Sequence, residues 1–234
     1  SLADYQTAIR NVTFDTGATT TGQRTINVVV NDGTVNSNTA ATTVTILGSG
    51  NRAVIDLDGN DSSGATIANY QTTFTENGSA VAIADVDVTI TDSNSANMAS
   101  ATITLTNAQT GDVLSWGTMP SGITASIAGN VVTLTGSASK ASYQTAIQAV
   151  TFNNTSENPN TTPRMITVTV NDGGGASNTA TATINVASVA DAPVLDLDAS
   201  AGGTGYTTTY NEGATALAIA DTDISITDVD SSSL

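Results

Sequence analysis

Arg164-Met165-Ile166-Thr167-Val168-Thr169-Val170-Asn171-Asp172-Gly173 alternates apolar and polar side chains as far as Val170, then breaks at Asn-Asp-Gly. Successive side chains of extended chain point to opposite faces, so this pattern reads as a half-buried antiparallel strand running into a turn. The same pattern stands 140 residues earlier, from Arg24 to Gly33. A pattern that returns at a fixed distance marks an internal repeat, and the repeat decides the architecture.

Other stretches return in the same way. Val54-Ile55-Asp56-Leu57-Asp58 reappears as Val194-Leu195-Asp196-Leu197-Asp198 at a spacing of 140. Tyr5-Gln6-Thr7-Ala8-Ile9 reappears as Tyr143 to Ile147 at 138, and Ala82-Ile83-Ala84-Asp85 as Ala218 to Asp221 at 136. The small differences are loop insertions. Residues 1–51 form the C-terminal part of one repeat, 52–190 a complete repeat, and 191–234 the N-terminal part of the next. Residues 99–138 have no counterpart in either end piece. The chain is therefore expected to be an excerpt from a longer array; the alternative is a subunit whose end pieces are completed by strand exchange between molecules.

Within the complete unit, Ala101 to Thr106 and Thr179 to Val186 also alternate. Asn77-Gly78, Thr110-Gly111-Asp112, Pro120-Ser121-Gly122 and Asn171-Asp172-Gly173 punctuate the runs as turns. The spacing predicts an all-β fold: a Greek-key β-sandwich of about seven or eight strands, repeated in tandem. Ser139 to Ile147 is the helical exception. Tyr143 and Ile147 stand four apart and share a helix face, which predicts one short helix before a strand at Val150-Thr151-Phe152.

Composition narrows function. The chain carries 5 Lys+Arg against 21 Asp+Glu, a formal charge of −16, which disfavours nucleic acid and anionic membrane and favours divalent cations. It has no His and no Cys, which removes the commonest general base, thiol nucleophiles, zinc–thiolate sites and disulfides. No apolar run is long enough to span a membrane. A nucleophile–base pair is missing, and the paired carboxylates repeat at every joint where catalysis needs a single cleft, so the chain is expected not to be an enzyme. The lone Lys140 has Leu2 as its counterpart, which argues against a lysine isopeptide cross-link.

The acids crowd around the joints between repeats. Asp191, Asp196, Asp198, Glu212, Asp221 and Asp223 surround one joint; Asp56, Asp58, Glu76, Asp85 and Asp87 surround the other, with Asn51 where Asp191 stands. Asp-x-Asp on extended chain points both carboxylates to one side. Like charges that close repel unless neutralised, and calcium takes six to eight oxygens. Asp85-x-Asp87 and Asp221-x-Asp223, then Asp56-x-Asp58 and Asp196-x-Asp198, are the candidate calcium pairs. The competing reading of each is a solvated charge that protects a sheet edge from pairing. Asp172, in Asn-Asp-Gly, reads equally as a turn residue and a ligand. Asp92-x-Asn94 and Asp228-x-Asp230 read as loop caps.

Three stretches together resemble the cadherin-like tandem repeats of large bacterial, RTX-type surface adhesins: Asp191-Ala192-Pro193-Val194-Leu195-Asp196-Leu197-Asp198, Thr75-Glu76-Asn77-Gly78 and Asp85-Val86-Asp87. Tyr143 to Ile147, Val150-Thr151-Phe152, Arg164 and Val170 to Gly173 look like the second half of the same repeats. The resemblance implies calcium between successive domains, held by Glu76, Asp85 and Asp87 at the upstream joint and by Asp191, Glu212, Asp221 and Asp223 at the downstream one. It implies an extracellular, cell-surface structural extender whose partners are neighbouring repeats of the same chain, with lateral or end-to-end self-association into a fibre. The linker departs from the vertebrate Asp-x-Asn-Asp-Asn pattern. A calcium-dependent, lectin-like carbohydrate-binding module is the alternative function, for which Trp116 would be a stacking surface; a core position is the commoner use of such a residue.

Overall fold

The computed structural model describes residues 1–15, 22–46 and 52–233. They fall into two compact units, Ser1–Arg52 and Ala53–Leu234. Asn51 lies outside the described residues.

The first unit opens with helix α1 (Leu2–Arg10). Ser1 and Asp4 cap it reciprocally: Ser1 Oγ accepts from Asp4 N at 3.4 Å, and the terminal amine donates to Asp4 Oδ2 at 2.8 Å. Strands β1 (Gly22–Val28) and β2 (Ala40–Ile46) then pair as an antiparallel hairpin, from Gly22 opposite Ile46 to Val28 opposite Ala40.

The second unit holds β3 (Val54–Asp56), β4 (Tyr70–Thr75), β5 (Val81–Ala82), β6 (Thr89–Thr91), β7 (Asn97–Leu105), β8 (Asp112–Trp116), β9 (Thr124–Ala128) and β10 (Val131–Ser139). Helix α2 (Lys140–Gln148) follows, then β11 (Val150–Asn154), β12 (Arg164–Asn171), β13 (Ala180–Ala187), β14 (Val194–Asp196) and β15 (Ser225–Thr227). The regular structure of the described residues is thus mostly β-strand, with two short helices. A six-stranded sheet runs β4-β13-β12-β7-β10-β9 and a three-stranded sheet β5-β11-β8. Two-stranded ladders join β3 to β6 and β14 to β15. Among the described residues every pairing is antiparallel except β13 with β4. There are more strands than the alternation predicts, because pieces as short as β3, β5 and β6 carry too few residues to show a period.

Alternation decides the core. Ile166, Val168 and Val170 face inward from β12, and Ala180, Ala182, Ile184 and Val186 do so from β13. Phe74 of the large sheet meets Phe152 of the small one edge to face, centroids 5.7 Å apart, so the two sheets share one core. Trp116 is partly buried against that core. Helix α2 starts on its Ser139 cap, buries Tyr143, Ala146 and Ile147, and leads into β11 as the Tyr-Ile spacing predicts. Tyr143 OH donates to Gly136 O at 2.7 Å, where β10 bulges. Gly136 is obligatory there: its φ is +127°, and a Cβ would lie 1.9 Å from Gly122 O.

One buried ion pair crosses the unit. Arg164, wholly buried, donates Nε to Asp112 Oδ2 at 2.7 Å and Nη1 to Thr162 O. Asp112 also accepts from Gln109 N and Asn154 Nδ2, so its charge is well solvated by protein. Arg24, the counterpart of Arg164, is exposed.

The same contrast extends through both end segments. Tyr143 is 0% exposed and its counterpart Tyr5 62%; Phe152 is 0% and Phe14 42%. Ile83 is 0% and Ile219 87%; Phe74 is 0% and Tyr210 57%. Similar patterning thus gives buried or exposed faces according to whether other strands lie against them among the described residues.

Candidate metal centre

β4 and β13 run side by side in parallel, from Tyr70 beside Ala182 to Thr75 beside Ala187. That pairing brings the end of β4 to the linker that leaves β13. Glu76 N donates to Ala187 O at 2.9 Å, and Glu76 Oε2 accepts from Val189 N at 2.7 Å. Glu76 is 3% exposed, and its second oxygen, Oε1, is buried with no hydrogen-bond partner. Asp191 Oδ2, two residues further along the linker, is also buried without a donor. Glu157, in the loop after β11, completes the group, and Asn77 Nδ2 holds its Oε2 at 3.0 Å. Each of the three carboxylates offers an oxygen, and these oxygens lie within 4.8 Å of one another.

The other side of this centre comes from the segment beyond the joint. Asp191 N donates to Asp230 Oδ2 at 3.3 Å, and Asn158 Nδ2 donates to Val229 O at 3.0 Å. Residues 228–230 follow β15, the partner of β14, so both repeats contribute to one acidic cleft. Withdrawal from water, then the charges of Glu76, Glu157 and Asp228, raise the Asp191 carboxyl above its ordinary value. The side-chain hydrogen bond between Asp228 and Asp230 holds Asp228 below the usual carboxylate value and pushes Asp230 above it. A buried acceptor without a donor is costly, and among like charges a bound proton or a cation relieves that cost. Oxygens that share one calcium ion at about 2.3–2.6 Å lie no more than about 5 Å apart, so oxygens this close could share an ion.

Two further acidic groups repeat one constellation. Asp58, Asp85 and Asp87 converge in the complete repeat, and Asp198, Asp221 and Asp223 converge in the following segment. Asp58 is fully buried. Burial pushes its carboxyl up, but hydrogen bonds from Ser63 and Ser62 outweigh that and hold it below the ordinary value. Asp87 Oδ1 accepts from Gly59 N at 3.1 Å, and Asp85 Oδ2 from Ser62 Oγ at 2.9 Å. Helix α2 anchors the loop that carries them: Gln148 Nε2 reaches Val86 O at 2.6 Å, and Gln144 Nε2 reaches Val88 O at 2.6 Å.

The grouping differs from the one the sequence predicts. Glu76, expected beside Asp85 and Asp87, stands instead with Asp191 and Glu157. Ser63, next to the Asp58 group, bonds Gln71 at the start of β4, whereas Glu76 follows its end. At about 3.3 Å per residue, the strand holds them well over 10 Å apart. Asp56 and Asp196 stay outside the clusters, each accepting a backbone N–H two residues on, from Asp58 and Asp198. Asp172 Oδ1 accepts from Gly174 N at 2.9 Å, an Asx turn, and Gly173 takes φ +102°. Glu212 is exposed, with no strand in the role of β13 beside it among the described residues. Sequence comparison between repeats misses Glu157 because the spacing shifts from 138 to 140 across its loop, leaving no aligned counterpart to mark it.

Fold and site together define a class: an all-β protein with carboxylate clusters that could hold a metal ion, one of them gathered from the end of β4, the loop after β11 and the linker after β13. No protein-family profile, curated protein or solved structure matches the chain. No described helix is long and apolar enough to cross a membrane.

Proposed function

We propose that the chain is a structural extender of an extracellular bacterial surface adhesin or filament, built of tandem Greek-key, cadherin-like domains that calcium stiffens at their joints. The reading rests above all on Glu76, nearly fully buried, with Oε1 lacking any donor and its carboxylate grouped with those of Asp191 and Glu157. A divalent ion there cancels the repulsion and ties three elements together: the end of β4, the loop after β11 and the linker into the next segment. The donor set is all oxygen, without the imidazole or sulfur ligands that zinc and copper prefer. Calcium tolerates irregular oxygen shells at about 2.3–2.6 Å, whereas magnesium demands a tighter octahedron. The repeated Asp58 and Asp198 groups supply further sites, so cation binding recurs along the array, which suits a mechanical element better than an enzyme.

Isothermal titration of the chain with calcium and with magnesium, paired with small-angle scattering in calcium and in EGTA, tests this function. Saturable calcium binding and a narrower distribution of long dimensions with calcium are expected. Absence of saturable calcium binding would remove the stiffening mechanism.

A further inference from the structure

We infer that β9 is a self-pairing edge, through which a second copy of this chain adds antiparallel to the large sheet and makes a twofold dimer. β9 (Thr124–Ala128) is the last strand of the six-stranded sheet. It pairs with β10 on one side, and among the described residues no strand pairs with its other side. A free edge presents a row of N–H and C=O groups that template another strand, and proteins blunt such edges with lysine, proline or inward-pointing charges. Thr124-Ala125-Ser126-Ile127-Ala128 has none of these. The opposite edge of the sheet is guarded: Gln71 N of β4 donates to Ser63 Oγ at 3.1 Å, and Glu76 closes its end. The edges of the small sheet are β5, two residues long, and β8, which begins at Asp112.

Charge selects the occupant. From Val113 to Ser139 no side chain is charged, the longest such run in the chain. The acid at its border, Asp112, is buried and paired with Arg164. Two copies that each carry −16 repel wherever their acids face one another, so like chains approach at least electrostatic cost through the uncharged side. A basic partner, the alternative for so acidic a chain, finds no carboxylate along this edge. The same side is apolar. A cavity of about 170 Å3 opens between β8 and the β9–β10 hairpin, lined by Leu105, Val113, Leu114 and Ile127, of which Val113 and Ile127 are exposed. Ala125 packs against the core, and Ile127, two residues on, projects to the same face. An antiparallel pair of β9 strands centred on Ser126 sets Ile127 of each copy opposite Ala125 of the other, and Ser126 opposite itself. The contact then covers Ile127 and continues the core of the sandwich across both copies. Five residues make a short ladder, so the dimer is weak and depends on concentration.

The contact needs no cation, so sedimentation velocity in EDTA tests it apart from the calcium reading. The intact chain should pass from monomer to dimer as concentration rises, and more readily in high salt, which screens the repulsion between like-charged copies. Ser126 is exposed and lies outside the acidic clusters, so Ser126→Glu and Ser126→Lys should melt like the wild type. Each sets like charges against one another at the twofold axis and should weaken dimerisation by about tenfold or more. An equimolar mixture of the two variants should recover a heterodimer, because opposite charges then face each other. Amide hydrogen exchange should slow over residues 124–128 when the dimer forms. A chain that stays monomeric at every concentration, association seen only with calcium, dimers that lack this protection or survive both substitutions, or a mixture that fails to recover would each overturn the proposal.

Discussion

Replacing Glu76 by Gln keeps the shape of the side chain and removes its charge. In calcium the change deletes one ligand of the joint. An ion present at a hundredfold excess over its dissociation constant stabilises the folded state by about 2.7 kcal/mol. Losing one carboxylate ligand is taken to weaken affinity by about a decade, which costs roughly 1.4 kcal/mol. The variant therefore keeps about half the stabilisation. At about 2–4 °C per kcal/mol for a unit of this size, calcium should raise the melting temperature by roughly 5–11 °C in the wild type and roughly half that in the variant. In EGTA the order should disappear or reverse. Glu76→Gln replaces one of the three clustered carboxylates by a neutral amide and so relieves like-charge repulsion, and a hydrogen bond from that amide to a neighbouring carboxylate would contribute about 1 kcal/mol. Differential scanning calorimetry in both buffers reads the crossover. An equal calcium shift in both proteins would refute the assignment of Glu76 as a ligand.

Arg164→Ala strands Asp112 as an uncompensated buried charge and should cost about 3–5 kcal/mol in urea unfolding, whereas Arg24→Ala, at the exposed counterpart, should change it by less than about 0.5 kcal/mol. Phe152→Ala opens a cavity against Phe74 and should cost about 3–5 kcal/mol, while Phe14→Ala should leave the melting of the complete repeat unchanged. The pH dependence in chelator should have opposite contributions from two acids. Asp191 is raised above 3.8, so the stability it contributes is full below 3.8 and lost as pH climbs through its folded value. Asp58 is lowered, so its contribution is present above 3.8 and lost as pH falls through its folded value. Melting curves should show Asp191→Asn flattening the loss on the alkaline side and Asp58→Asn flattening the loss in acid; profiles parallel to wild type would contradict both.

The repeat, the half-buried strands and the short helix before β11 were legible in the order of residues. Strand alternation and the four-residue spacing of Tyr143 and Ile147 are local properties, and locally patterned apolar faces have one economical way to be buried. The crowding of acids near the joints was legible too. Which acids meet was a matter for the folded chain alone. The parallel pairing of β4 with β13 carries Glu76 to Val189 and Asp191, more than a hundred residues away in the chain, and no local pattern encodes that pairing. Pairing between distant strands likewise joins Arg164 to Asp112. It also decides whether Phe152 and Phe14, which have the same local setting, end in a core or on a surface, because burial depends on the strands opposite as much as on the residue's own.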